Sequence, residues 1–246
     1  MLHADFRGEG DPLALLRRGA YELGISLLPD QEAQFQRYIE LLLTWNPRLG
    51  LTAQTDPEEI VIHHFLDSLL VLKGTDFPSG SEVLDVGSGA GFPGVPLAIV
   101  RPDIQVILLE ASRRRAAFLE RLAWTLKVPL QVIWGRAEDI AHDLNWRERF
   151  PRVVSRAVAP LRVLLEFCLP FVEVGGIGVF LKGKRADEEI RGARRALQIL
   201  GGGPPLSIPV ALPFTDLVRV VVVVPKVTST PTGYPRRPGI PSRRPL

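Results

Sequence analysis

Two kinds of apolar spacing divide this chain. Up to about residue 80, apolar side chains recur at every third or fourth position. Phe35, Tyr38, Ile39, Leu42, Leu43 and Trp45 form one such stripe, read as a helix that Asp30 caps and that runs to Asn46. Asp56-Pro57-Glu58-Glu59 predicts a second helix: a capping Asp, Pro at the first helical position and Glu three residues after the cap. It continues through Ile60, His63-His64, Asp67-Ser68 and Leu69-Leu70, and a polar link from Lys73 to Glu82 follows. Beyond the link, unbroken apolar runs replace the stripes. Strands are expected near 83–87, 105–110, 130–134, 152–156, 176–182, 206–211 and 217–224, with helices between them. Such alternation predicts an α/β fold with a doubly wound, mostly parallel sheet. The chain thus reads as a helical N-terminal extension (1–80) packed on a core (81–225), followed by a basic, Pro-rich tail (226–246).

The first strand leads into the most informative segment, Val83-Leu84-Asp85-Val86-Gly87-Ser88-Gly89-Ala90-Gly91. A strand that turns through glycines into a helix lets a ligand approach bare backbone at the helix N-terminus. A nicotinamide or flavin dinucleotide calls for Gly-x-Gly-x-x-Gly, but the third position here is Phe92. Asp85, two places before Gly87, would also repel a pyrophosphate, whereas it suits the ammonium and sulfonium of S-adenosylmethionine. The next strand ends in Glu110, 23 residues after Gly87, where such folds grip ribose hydroxyls with a carboxylate.

Composition narrows the setting. No apolar run reaches the length of a membrane span, and Met1 to Asp5 lacks the apolar stretch of a signal peptide. The single Cys168 excludes an internal disulfide framework, and a cytoplasmic location is expected. His63 and His64 point about 100° apart on a helix, so no metal is expected. His64, Asp67 and Ser68 share one face at i, i+3 and i+4, where they could position a cofactor or substrate or simply dock the helix. The net charge is only +3, but basic residues are grouped: Arg113-Arg114-Arg115, Lys182 with Lys184-Arg185, and Arg236, Arg237, Arg243 and Arg244 in a tail without acids. Grouping of this kind suggests a polyanionic partner, most simply nucleic acid. Three cations in the first turn of a helix that Ser112 caps oppose the helix dipole, which hints at phosphate binding.

The fourth strand ends in Ser155-Arg156-Ala157-Val158-Ala159, without the Asn/Asp-Pro-Pro-aromatic stretch common in enzymes that methylate exocyclic amines. Cys168 sits in an apolar helix pattern, so it reads as a small buried hydrophobe and not as the nucleophile of cytosine C5 methylation. An acceptor with a free lone pair, such as guanine N7, needs neither device. A carboxylate or thiol of a small molecule would satisfy the same pattern.

Taken in order along the chain, these residues resemble a family. Asp85 to Gly94, Trp45-Asn46 with Leu51-Thr52, His64-x-x-Asp67-Ser68-Leu69, Gly135-Arg136-Ala137-Glu138, Ser155-Arg156-Ala157, Lys182-Gly183 and Arg237-Pro238-Gly239-Ile240-Pro241 look like motifs of the bacterial 16S ribosomal RNA guanine-N7 methyltransferases, also called glucose-inhibited division protein B. One departure is Gly50, where that family usually has Asn. The resemblance implies a seven-stranded Rossmann-like S-adenosylmethionine fold that methylates guanosine 527, in the 530 loop of 16S rRNA, with the small subunit or its RNA as partner and a monomeric enzyme. It implies that Asp85, Gly87, Gly89, Gly91 and Phe92 lie along the cofactor's methionine and ribose. Glu110 would hold the ribose hydroxyls, Ala137 and Glu138 the adenine, and Arg156 the boundary between cofactor and acceptor. Two other readings stand beside it: a methyltransferase for a small molecule or protein, and a non-catalytic RNA-binding assembly factor.

Overall fold

A computed structural model describes residues 10–246. The expectation of no signal peptide falls on residues 1–9, outside the described residues. Seven strands form one sheet in the order β3-β2-β1-β4-β5-β7-β6. They are β1 (Glu82–Val86), β2 (Gln105–Glu110), β3 (Leu130–Trp134), β4 (Phe150–Arg156), β5 (Val172–Lys182), β6 (Leu206–Ala211) and β7 (Val218–Pro225). The five from β3 to β5 are parallel, while β7 runs antiparallel to both β5 and β6. Each strand matches an apolar run read from the sequence. The strand order changes direction beside β1, so the crevice at the carboxyl ends of β1 and β4 is where such sheets bind ligands.

The two faces of the sheet are covered differently. One carries α1 (Pro12–Glu22), α2 (Pro29–Leu49), a helical run over residues 57–73, α5 (Gly94–Val100) and α6 (Arg113–Leu126). Leu16, Phe35, Tyr38, Phe65, Leu69, Val95, Val106 and Phe118 pack there in one core, so the N-terminal helices and the sheet share their apolar interior. The other face holds α7 (Ala137–Ile140), α8 (Leu161–Cys168), α9 (Ala186–Gly192), α10 (Arg194–Leu200) and a short α11 (Ile240–Arg243). Cys168 is fully buried in that second core, as a small hydrophobe would be.

Two helix boundaries differ from expectation. The helix α2 begins at Pro29, with Leu28 at the cap position, so Asp30 lies inside the first turn and is not the cap. Gln31 performs the capping instead, its side chain accepting from Leu28 N–H at 2.9 Å. At the other end the helix runs through Pro47 to Leu49 and stops at Gly50, which has φ +57°. Gly and Asn adopt this left-handed cap most readily, which fits the departure at position 50. The second helix is capped by Asp56 as expected, accepting from Glu58 and Glu59 N–H. It is not uniform, however. After α3 (Pro57–Ile60) comes a π-helical turn (Val61–Leu66), then α4 (Asp67–Leu69) and a 3-10 turn (Leu70–Lys73). A π turn often marks a functional position, and this one contains both histidines.

Candidate active site

The glycine loop leaves β1 and is held from two sides. Glu110, at the end of β2 and 6% exposed, accepts from Gly89 N–H at 2.8 Å through one oxygen and from Ser112 N–H at 2.7 Å through the other. Each oxygen keeps a free lone pair, so a vicinal diol could still be bound. Asp85 is fully buried beneath the loop. One of its oxygens accepts from Gly94 N–H at 2.9 Å and the other has no partner. Burial pushes its carboxyl up to about 7, against the opposing pull of the Gly94 N–H. It therefore shapes the turn from below and does not present a charge at the surface of the loop.

Gly91 has φ +107°, and a Cβ there would come within 2.5 Å of the Tyr38 hydroxyl and 2.7 Å of Val95. Tyr38 in turn donates to Ala90 C=O at 2.7 Å, so α2 clamps the loop. At Gly89 (φ +61°) a Cβ would meet only Gly87 C=O, at 3.9 Å, leaving the loop's outer side open to a ligand. Glu138 in α7 is buried and accepts from Arg136 and, at 3.1 Å, from Gly239 N–H. Burial would raise its pKa, but Arg136 and the backbone N–H groups hold it below the ordinary carboxylate value.

Beside the loop lies a cleft of about 560 Å³, lined by Gln54, His63, His64, Asp67, residues 156–160, 181–183, Glu189 and Arg219. Its centre is Asp67, 3% exposed, which receives Arg156 from β4 on one oxygen and Arg219 from β7 on the other, each at 2.7 Å. Arg156 also donates to His63 C=O at 2.9 Å and to His64 Nδ1 at 3.1 Å. Because the guanidinium can only donate, Nδ1 must accept, so His64 carries its proton on Nε2, 2.5 Å from Thr52 Oγ1. Burial first, then the nearby Arg156 charge, lower the His64 pKa to about 3. The imidazole is neutral at neutral pH. It stacks on Phe92 at 4.6 Å between ring centroids, and the Arg156 guanidinium lies 4.9 Å from the same ring.

The structure thus brings His64, Asp67, Phe92 and Arg156 together at the carboxyl end of the sheet. Ser68 turns away, its hydroxyl donating to His64 C=O at 2.5 Å. Sequence reasoning missed Arg219 and the hydroxyl of Tyr38. A lone Arg inside the apolar run 217–224 was the available signal for the first; nothing in the stripe marked the second.

The cationic residues separate by exposure. Arg113, Arg114, Lys184, Arg185, Arg237, Arg243 and Arg244 are exposed, and Arg115 is half-buried, reaching Gly50 C=O. Lys182 is buried and donates to Ala159 C=O and Glu189. Arg236 grips the fully buried Glu166 through two parallel bonds of 2.9 and 2.7 Å. The expectation of RNA contact for these two meets side chains already engaged in holding the fold. The Pro-rich tail is ordered against the core. Arg147 donates to Thr230, Pro231 and Tyr234 C=O, and the buried Lys226 ties the tail's start to Leu169 and Leu200 C=O.

Residues 31–212 match the family described as rRNA small subunit methyltransferase G. The chain is 45% identical over 232 residues to the Ribosomal RNA small subunit methyltransferase G of Pelotomaculum thermopropionicum, covering 94% of this chain and 97% of that one. It is 44% identical over 233 residues to the protein of the same name from Moorella thermoacetica, with the same coverage. Among solved structures, a putative O-methyltransferase from Klebsiella pneumoniae superposes with TM-score 0.56 at 16% identity, covering 87% of this chain and 96% of that one. A variant of MtNAS in complex with S-adenosylmethionine superposes with TM-score 0.54 at 17% identity, covering 88% and 78%. At these identities the likeness is one of fold. Among the described residues no helix is long and apolar enough to cross a membrane.

Proposed function

Because the chain belongs to the rRNA small subunit methyltransferase G family, we propose that it methylates N7 of a guanosine in 16S rRNA, the one at position 527 in the 530 loop. S-adenosylmethionine, when bound, supplies a methyl group activated on a sulfonium. The residues present fit that cofactor. Glu110 has lone pairs free for the ribose hydroxyls, the outer side of Gly89 is open, and Glu138 offers an acceptor for the adenine amino group. Asp85 serves by fixing the loop that carries Gly87 to Gly91.

One observation carries the choice of acceptor atom. Asp67, His64 and Glu189, which line the 560 Å³ cleft, are already held by donors. Asp67 holds two arginines, His64 Nδ1 accepts from Arg156, His63 pairs with Glu59 at 3.0 Å, and Glu189 takes Lys182 and Leu161 N–H. The cleft can orient and bind, and none of Asp67, His64 and Glu189 is free to remove a proton. Guanine N7 has none to lose, so alignment of N7 with the methyl carbon is what the site must provide. The flat pair of His64 and Phe92 and the guanidinium of Arg156 give a platform and a hydrogen-bond donor for that purpose.

The test is incubation with labelled S-adenosylmethionine and small ribosomal subunits, followed by mapping of the label. Label at one guanosine, released with base-labile 7-methylguanine chemistry, is the expected result, with a single-turnover rate nearly flat from about pH 6 to 8. Label on another atom, or a rate that follows one ionisation in that range in the wild type and in Asp85→Asn alike, overturns the reading.

A further inference from the structure

A second cleft, of about 390 Å³, adjoins the first and shares Pro160 and Glu189 with it. The partition between them is pinned, since Glu189 Oε2 accepts from Leu161 N–H at 2.7 Å and sits 2.8 Å from Lys182 Nζ. Most of the second cleft's surface is carbon, with Pro160, Leu161 and Gly192 among its lining residues. Arg162 and Arg185 line it too, both exposed. Arg162 has no ion-pair partner among the described residues, and Arg185 has only a surface pair with Glu188, of the kind that exchanges readily for another anion. Nothing in the proposed methyl transfer uses any of these groups.

We propose that this second cleft receives the base of the nucleotide that neighbours the target guanosine in the RNA strand, with Arg162 and Arg185 meeting the adjoining phosphates. The inference rests on the reading of RNA as substrate. A guanosine seated in the first cleft carries covalently linked neighbours, and the second cleft lies directly across the partition formed by Pro160 and Glu189. A carbon-walled cleft suits the face of a base and not a free anion, while exposed cations at the same place suit the backbone. Gly192 adds an independent point. It closes α9 without a positive φ, so the backbone does not require glycine there, and an added Cβ would meet no atom within 4 Å. Glycine in a helix is less stable than alanine. Here it leaves the cleft open.

Gly192→Leu, whose Cβ enters open space, adds a side chain to the cleft wall and is expected to keep the thermal midpoint and the S-adenosylmethionine affinity of the wild type. Its kcat/KM on an unmethylated 16S rRNA transcript should fall about ten-fold, the worth of one base stacked on a protein surface, with the loss mainly in KM. Transcripts lacking the base on the 5′ or the 3′ side of the target complete the test. Wild-type enzyme should lose about the same factor for one of the two sides, and Gly192→Leu should lose nothing more for that side. Arg162→Gln should reduce the salt dependence of RNA binding by up to one unit of log–log slope. Indifference of the wild type to both abasic sites overturns the proposal, as does a Gly192→Leu loss that multiplies with the abasic loss. Should Gly192→Leu fail to fold, the abasic transcripts on wild-type enzyme decide alone. A wild type that methylates no guanosine in the transcript or in small ribosomal subunits overturns the underlying reading, a different result from normal methylation that ignores the neighbour.

Discussion

Glu110 and Asp67 are both buried carboxylates, 6% and 3% exposed, and they hold the two halves of the site by opposite means. Glu110 is satisfied by backbone N–H groups from its own neighbourhood, one 21 residues away and the other two. Asp67 is satisfied by full charges, on arginines 89 and 152 residues distant. The first arrangement forms with a single strand–helix–strand unit, β1 to β2. The second exists only once β4, β7 and the helical run over residues 57–73 have assembled. Dipoles from nearby peptide groups neutralise a charge without depending on remote packing, whereas a buried ion pair is expensive to leave half made. The Glu110 anchor of the glycine loop is therefore a local device, and the Asp67 cluster is a product of the whole sheet.

The largest test of this contrast is Asp67→Ala. It leaves two guanidinium groups uncompensated, and it should destabilise the protein by about 3 kcal/mol. Methyl transfer should fall on the order of 100-fold through misplacement of Arg156, even with both substrates saturating. Denaturant melts and single-turnover rates measure the two effects. A loss no greater than that of an ordinary surface substitution would break the comparison. Next in size is Glu110→Ala. It should weaken S-adenosylmethionine binding by roughly 10- to 100-fold in calorimetry, by removing charge-assisted bonds, while leaving RNA affinity near that of the wild type.

Ionisation sharpens the same contrast at smaller scale. The His64 pKa falls from 6.5 in the unfolded chain to about 3 in the fold, so its contribution to stability is present above about pH 6.5 and is lost as pH falls toward 3. Asp85 does the reverse. Its carboxyl rises from 3.8 to about 7, so stability is greatest below about pH 4 and is lost as pH climbs to 7. The two slopes oppose each other between about pH 4 and 6.5. Asp85→Asn should remove one of them, so that urea midpoints of the variant fall more steeply with acidification than those of the wild type. Parallel curves would reject the assignment. Smallest is the effect of replacing Arg237, Arg243 and Arg244 together with Gln. For each phosphate that these side chains no longer neutralise, the salt dependence of RNA affinity should flatten by about one log–log unit or less, at an unchanged melting temperature. Arg236→Gln should instead lower the melting temperature, because Glu166 is left buried alone.

This division also decides what could be read in the chain. The strands were legible because buried parallel strands are continuous apolar runs, and all seven lie where those runs lie. The glycine loop and Glu110 were legible because their geometry is set by residues close in sequence. The Asp67 network was only partly so. His64, Asp67 and Ser68 could be placed on one helical face, but the π turn regroups them, and Ser68 bonds its own backbone. That Arg219 completes the cluster follows from β7 lying next but one to β4, a fact of sheet order that no local pattern encodes. Asp30 was misplaced because Pro29 and the Gln31 side chain start the helix two residues earlier than a capping Asp would. In the tail, Arg236 could not be told from its neighbours, since its partner Glu166 lies 70 residues away in an apolar helix.

The bond from Gly239 N–H to Glu138 joins the tail to the residue proposed to receive adenine. A shared group of this kind makes the two events thermodynamically reciprocal. Whatever factor the docked tail adds to cofactor affinity, bound cofactor must add to the docking of the tail. Amide exchange around Gly239 and Ile240 should therefore slow when S-adenosylmethionine is added, far from the sulfonium. The exposed arginines that follow, Arg243 and Arg244, would then be held most firmly in the enzyme that already carries its methyl donor.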